Sequence, residues 1–235
     1  MHQRNPGKNE LILSYMYLRK AVGWIGSLLP IVLITGNMIL FTTVRPESMS
    51  GYYYTHMRNV LVGSLCALGV FLIAYAGYDE WDRWITNIAG VGMIGVAFFP
   101  TSPPAVSPSC PHIIGRVHVV FAATTFVALG VMALRFAKSE PAPAGLGLWE
   151  SFRHGLGFGP PGDPNRRNVR RNRICRWSGI GILVCVVLAA ASNALPETFK
   201  SESSVLFWLE ALAVFLFGAS WFVKGQTLFA YLKDE

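Results

Sequence analysis

Six ionisable side chains fall beside the same ends of the apolar segments of this chain: Glu210, His118, Arg58, Arg116, His56 and His112. Glu210 lies five residues into the apolar stretch VLFWLEALAVFLFGASWFVK (205–224), and His118 lies five residues into the stretch that begins at 113. At 1.5 Å per helical residue both sit about 7–8 Å below one surface. A carboxyl group inside a membrane helix costs about 2.5–3.5 kcal/mol on insertion scales, so Glu210 is expected to face protein or a wet cavity. Ser64, Ser192 and Asn193 would add hydrogen-bonding groups at the same level, and Tyr53 and Tyr54 would stand over the opening.

Two chemistries fit this set. Glu210 can pair with Arg58, Arg116 or His118 as a buried ion pair, which satisfies each charge. Alternatively the groups line an outward-facing polar pocket for a lipid headgroup or a small solute. Within that pocket His56, His112, His118 and Glu210 are ligand types suited to zinc, whose bound water would be a hydrolytic nucleophile. No HxxxH or HExxH spacing supports the metal, so the first expectation is a site without cofactor and zinc is the alternative.

The elements that must position these groups are apolar runs. Of the 235 residues 52% are hydrophobic and 14% charged, well below the quarter or so that is charged in soluble domains. Six runs of 17–24 residues, 21–44, 59–78, 84–100, 113–136, 177–195 and 205–223, match the length needed to cross about 30 Å of hydrocarbon. The expected fold is therefore an all-α, single-domain bundle of six transmembrane helices. With the N-terminus inside, sixteen of the twenty Lys and Arg fall on one side. That places both termini in the cytoplasm, as in a multi-pass protein of a bacterial inner membrane. The net charge of +7 is then a topology signal, with no nucleic-acid partner implied.

Residues 8–20 read as a short interfacial helix ahead of the first span. Residues 137–176 read as a basic cytoplasmic loop. Its arginines Arg166, Arg167, Arg170, Arg171, Arg173 and Arg176 suit contact with anionic lipid headgroups. The acidic turn at Asp79, Glu80 and Asp82 reads as solvated, with salt bridges to Lys224 or to the arginines of the basic loop as the alternative. GVGMIG (90–95) matches a dinucleotide fingerprint, but it lies inside a membrane run with no preceding strand. Its glycines read as close helix contacts, within the bundle or between copies in a homo-oligomer. The four cysteines (Cys66, Cys110, Cys175, Cys185) show no paired framework. On the last helix Glu210, Ala213, Phe217, Ser220 and Lys224 share one face, which should look inward, with Lys224 snorkelling to water.

Two likenesses bear on function. SMSGYYYTHMRNVLVGSL, VAFFPT and FWLEALAVFLFGASWFVKG resemble a group of bacterial multi-pass membrane proteins without assigned activity. That group has a Ser/Tyr-rich outer loop and an E…FG-x-SW-x-x-KG last helix, carried here by Ser50, Tyr52, Tyr53, Tyr54, Arg58, Glu210, Ser220, Trp221 and Lys224. The likeness implies about six helices. A more distant likeness is to the alkaline ceramidase and progestin/adiponectin receptor superfamily, membrane hydrolases with a three-His zinc site. This chain shows six spans in place of seven and lacks both the early Ser-x-x-x-His and the late His-x-x-x-His. The reading is thus a membrane protein that binds or senses a lipid headgroup or small solute around Glu210. A metal-dependent hydrolase and a channel or transporter are the alternatives.

Overall fold

The computed structural model describes residues 6–41, 45–75, 77, 80–102, 112–137, 166–192, 194 and 204–231. The proline-rich loop after residue 102, residues 138–165, Cys110 and Asn193 lie outside these residues. Among the described residues the chain is helical without strands. The helices are α1 (Pro6–Leu40), α2 (Arg58–Ile73), α3 (Glu80–Phe98), α4 (His112–Ala137), α5 (Arg166–Ser192) and α6 (Val205–Tyr231), with one 3-10 turn at Ser50–Tyr54. Stretches of α1, α4, α5 and α6 are long and apolar enough to cross a bilayer, and this is a membrane protein. The 16 residues of α2 and the charged first turn of α3, with Glu80 and Asp82, keep those two below that mark.

Two boundaries differ from expectation. No break separates an interfacial segment from the first span, and α1 runs unbroken for 35 residues. Lys20 and Ala21 are good helix formers, so nothing local stops the helix between them. The arginine cluster, expected in a loop, forms the opening turns of α5, which starts at Arg166. Arginine propagates a helix well, and the apolar run from residue 177 gives that helix a face to bury.

Sequential helices pack as antiparallel neighbours, and α6 closes the ring against α1. The glycines set the spacing. A Cβ on Gly90 would stand 2.6 Å from the Gly69 carbonyl oxygen, and one on Gly69 would stand 2.9 Å from that of Gly90. Only hydrogen at both positions lets α2 and α3 approach this closely. Gly92 and Gly95 are likewise buried against Thr125 and Phe121 of α4. These glycines of α3 thus make close helix contacts within the bundle. Gly63, by contrast, meets nothing.

The α1–α2 seam is the loosest in the ring, and the segment between those helices fills part of it. Met49, Tyr52 and Met57 turn back into the bundle and pack with Leu29, Leu33, Leu61, Phe207 and Ala211. The three consecutive tyrosines take three environments. Tyr52 is wholly buried, Tyr53 half-buried and Tyr54 exposed, its hydroxyl donating to the Thr101 carbonyl at 2.6 Å. A tight turn sends successive side chains in different directions.

At the opposite end, Trp221 packs edge-on against Tyr75, Phe136 and Phe217, with ring centroids 4.8, 5.3 and 6.0 Å away. Charges are drawn in around these rings. Arg19 donates to the Tyr75 hydroxyl at 2.6 Å. Lys224 is only 7% exposed, with Nζ on the Phe136 carbonyl at 3.2 Å, so it does not snorkel to water. Asp82, expected in a solvated turn, is 3% exposed and pairs with Arg135. Burial beside α4 makes that partner necessary, while Glu80 remains in water beside Arg83.

Candidate functional site

Between the aromatic floor and the folded-back loop lies a narrow cavity of about 50 Å³. Its walls repeat a helical spacing on three helices: Leu61, Leu65 and Leu68 on α2; Ala122, Thr125, Phe126 and Leu129 on α4; Glu210, Val214 and Phe217 on α6. Each set covers offsets from 0 to 7, two turns or about 10 Å of depth. Leu29, Met93 and Val96 complete the sides, and Met49 and Ser50 form the roof. The lining is apolar except for Ser50 and Glu210 at the roof and Thr125 in the wall. Thr125 is 4% exposed and its hydroxyl has no partner among the described residues.

Among the described residues Glu210 does not meet a cation. Its Oε2 accepts the backbone N–H of Met49 at 2.6 Å, and the backbone N–H of Ser50 also donates to this carboxyl. The acid thus ties α6 to the loop that roofs the cavity. The face shared by Glu210, Ala213, Phe217, Ser220 and Lys224 does point inward, as its spacing requires.

The expected basic companions are dispersed. Arg58 is exposed, stacks 4.1 Å over the Tyr53 ring and donates to that tyrosine's hydroxyl. Arg116 is exposed, and Ser64 is half-buried on α2 away from the cavity wall. Ser192 turns back on its own helix, donating to the Ala189 carbonyl at 2.7 Å. His56 is exposed and stacks on Phe41 at 4.6 Å. His112 opens α4, and its side chain lies outside the described residues. Among the described residues no three His, Cys, Asp or Glu side chains converge as a metal site. His56, His118 and Glu210 each have a separate protein partner, so they do not form the zinc set drawn from the sequence.

His118 is 4% exposed and spans two elements. Its Nδ1 lies 2.6 Å from the Phe99 carbonyl and its Nε2 3.0 Å from Ser50 Oγ. A carbonyl oxygen only accepts, so Nδ1 carries the proton. In the neutral ring Nε2 is then the acceptor for the Ser50 hydroxyl. A second cavity of about 10 Å³, the room of about one water molecule, lies beside this pair. Ser50, Tyr53, Pro100 and His118 are among its lining residues.

Sequence reasoning did not pick Ser50, Met49 or Thr125 as site residues. Nothing local marks them: Ser50 lies in a polar loop with no helical period, and its two partners are 68 and 160 residues away. Tyr52 is also a structural member of the roof. Burial pushes its hydroxyl above the ordinary tyrosine range, and Arg45 acts in the opposite direction.

The basic turns of α5 line a separate open groove near the Lys224 end. It contains Arg170, Arg173, Trp177 and Ser178, with Leu216 and Ala219 of α6. Arg171 and Arg176 are half-buried on the same turns, and the side chains of Arg166 and Arg167 lie outside the described residues.

Comparison of the chain with family models, with curated proteins and with solved structures finds no match.

Proposed function

We propose that the chain is a six-span membrane protein, with both termini on the cytoplasmic side, that binds a short-chain amphiphile. The amphiphile's alkyl chain enters the cavity of α2, α4 and α6, and the polar end stays at the Ser50–Glu210 roof. The observation that carries this reading is the cavity itself: two helical turns deep, apolar along its length apart from Thr125 in the wall, and polar at one end. Its volume of about 50 Å³ has room for only a few methylenes, the space of a few waters, which suits a short linear chain and not a fused ring system. An amphiphile gains roughly 0.8 kcal/mol for each methylene removed from water.

Six spans are supported by the outward faces of the two shorter helices. Val60, Val70 and Ile73 on α2, and Trp84, Ile88, Val91 and Phe98 on α3, are exposed apolar residues where lipid would be. The aromatic floor favours binding over conduction, because Phe217 and Trp221 are buried between Glu210 and Lys224. Bacterial inner-membrane placement rests on the Lys and Arg bias alone. The α5 groove, with Arg170 and Arg173 above Trp177, suits an anionic headgroup on that side.

The test is photocrosslinking of a short-chain diazirine fatty acid to the protein in nanodiscs, with adducts mapped by mass spectrometry. Adducts on Leu65, Thr125, Phe126 or Val214 are expected, and Ala122→Phe, which fills the wall, should abolish them. Adducts confined to outward residues such as Val91 and Val120 refute the reading.

A further inference from the structure

We infer that Ser50 is an acyl-accepting nucleophile with His118 as its general base, acting on a short-chain acyl ester whose chain occupies the cavity. This rests on the chain-binding reading above and adds chemistry to it. Three observations lead here, and none uses the ion pair or the alternative zinc set drawn from the sequence. Ser50 Oγ and His118 Nε2 stand 3.0 Å apart, and the other imidazole nitrogen is held by the Phe99 carbonyl, which fixes the tautomer that leaves Nε2 as the acceptor. A nucleophile beside a base that is oriented by a third group is the arrangement that activates serine. Ser50 also belongs to the walls of both cavities, the apolar one and the water-sized one. An acyl carbon at the mouth of the first would therefore meet the hydroxyl, with space for a hydrolytic water on the other side.

The local backbone suits the role. Glu210 accepts the Met49 and Ser50 N–H groups and holds the nucleophile's main chain in place. Gly51 follows directly, and a Cβ there would press on Pro46 at 2.8 Å, so the turn is closed tightly around the serine. Side chains at i and i+3 of a 3-10 turn stand above one another, which puts Tyr53 on the face of Ser50. The Tyr53 hydroxyl accepts from Arg58, leaving its own proton to donate toward an oxygen that gains negative charge.

The reaction balances without a further reagent except water. Ser50 Oγ bonds to the ester carbonyl carbon as its proton passes to Nε2 of His118. The bond from that carbon to the alcohol oxygen then breaks, and the alcohol leaves with the proton. Water attacks the acyl-serine, gives its proton to His118, and the carboxylic acid departs as Ser50 recovers its hydrogen. The net change is ester plus water to acid plus alcohol.

The test uses purified full-length protein in nanodiscs and an alkyl fluorophosphonate, which reacts only with activated serines, followed by peptide mapping. Stoichiometric phosphonylation of Ser50 is expected. It should be lost in Ser50→Ala and slowed about a hundredfold or more in His118→Gln at unchanged thermal stability. Tyr53→Phe should slow it as well. Wild-type protein that leaves Ser50 unmodified, or reacts only elsewhere, overturns the inference whatever the variants do. If the diazirine fatty acid still labels the cavity in that case, the binding reading survives without the chemistry. If it does not, both fall.

Discussion

Glu210→Ala isolates what this half-buried acid does. The substitution removes the acceptor for two backbone N–H groups, those of Met49 and Ser50, where the loop packs back against α6. Each orphaned buried donor costs about 1–3 kcal/mol, so undocking of residues 48–54 should become easier by about 2–6 kcal/mol. A loss of 3 kcal/mol is somewhat more than a hundredfold in the opening equilibrium. Hydrogen exchange in nanodiscs reads this directly: the amides of Met49 and Ser50 should exchange about thirtyfold or more faster in Glu210→Ala, while those in the middle of α4 and α5 stay protected. Glu210→Gln keeps one oxygen acceptor and should lose much less, about 1 kcal/mol. If Glu210→Ala leaves exchange in residues 48–54 at the wild-type rate, the carboxyl is not what holds the roof. An equal loss across all six helices would show instead that it supports the whole fold.

Gly90→Ala should lower stability by about 1–3 kcal/mol through overpacking against the Gly69 carbonyl. Gly63→Ala, in open space on the same α2–α3 pair, should be neutral or gain up to about 1 kcal/mol; thermal unfolding in detergent compares the two. Arg135→Met leaves Asp82 buried without this ion-pair partner and should cost about 3 kcal/mol, most of it recovered by adding Asp82→Leu; a double variant no better than the single one would count against the pair. Tyr52→Phe removes a buried hydroxyl that has no partner among the described residues, so its melting temperature should equal or exceed that of the wild type. Because the folded-state tyrosine titrates above its unfolded value, its contribution is intact below about pH 10 and is lost as pH rises beyond it. The phenylalanine variant should therefore lose less stability than wild type as pH rises above about 10.

What the sequence determined by itself is the membrane-length helical character of α1, α4, α5 and α6, and the inward face of α6. These follow from composition and from a 3.6-residue period, both local properties of a chain in hydrocarbon. The close-packing role of Gly90, Gly92 and Gly95 was legible from the same composition of the run. The extent of α1 and of α5 was less so, because Lys, Arg and Ala continue a helix past the membrane boundary without any change of period.

Only the tertiary structure decided which partner each buried polar group takes. A sequence map counts charges, so it offered Glu210 the cations Arg58 and Arg116. The fold gave it two backbone N–H groups from a loop about 160 residues away, because that loop turns back into the loose α1–α2 seam and its own donors needed an acceptor. His118 met Ser50 through the same docking, and Arg58 was left outside on Tyr53. A buried polar group is satisfied by whatever donor or acceptor geometry places within about 3 Å, and that geometry exists only once distant segments have packed.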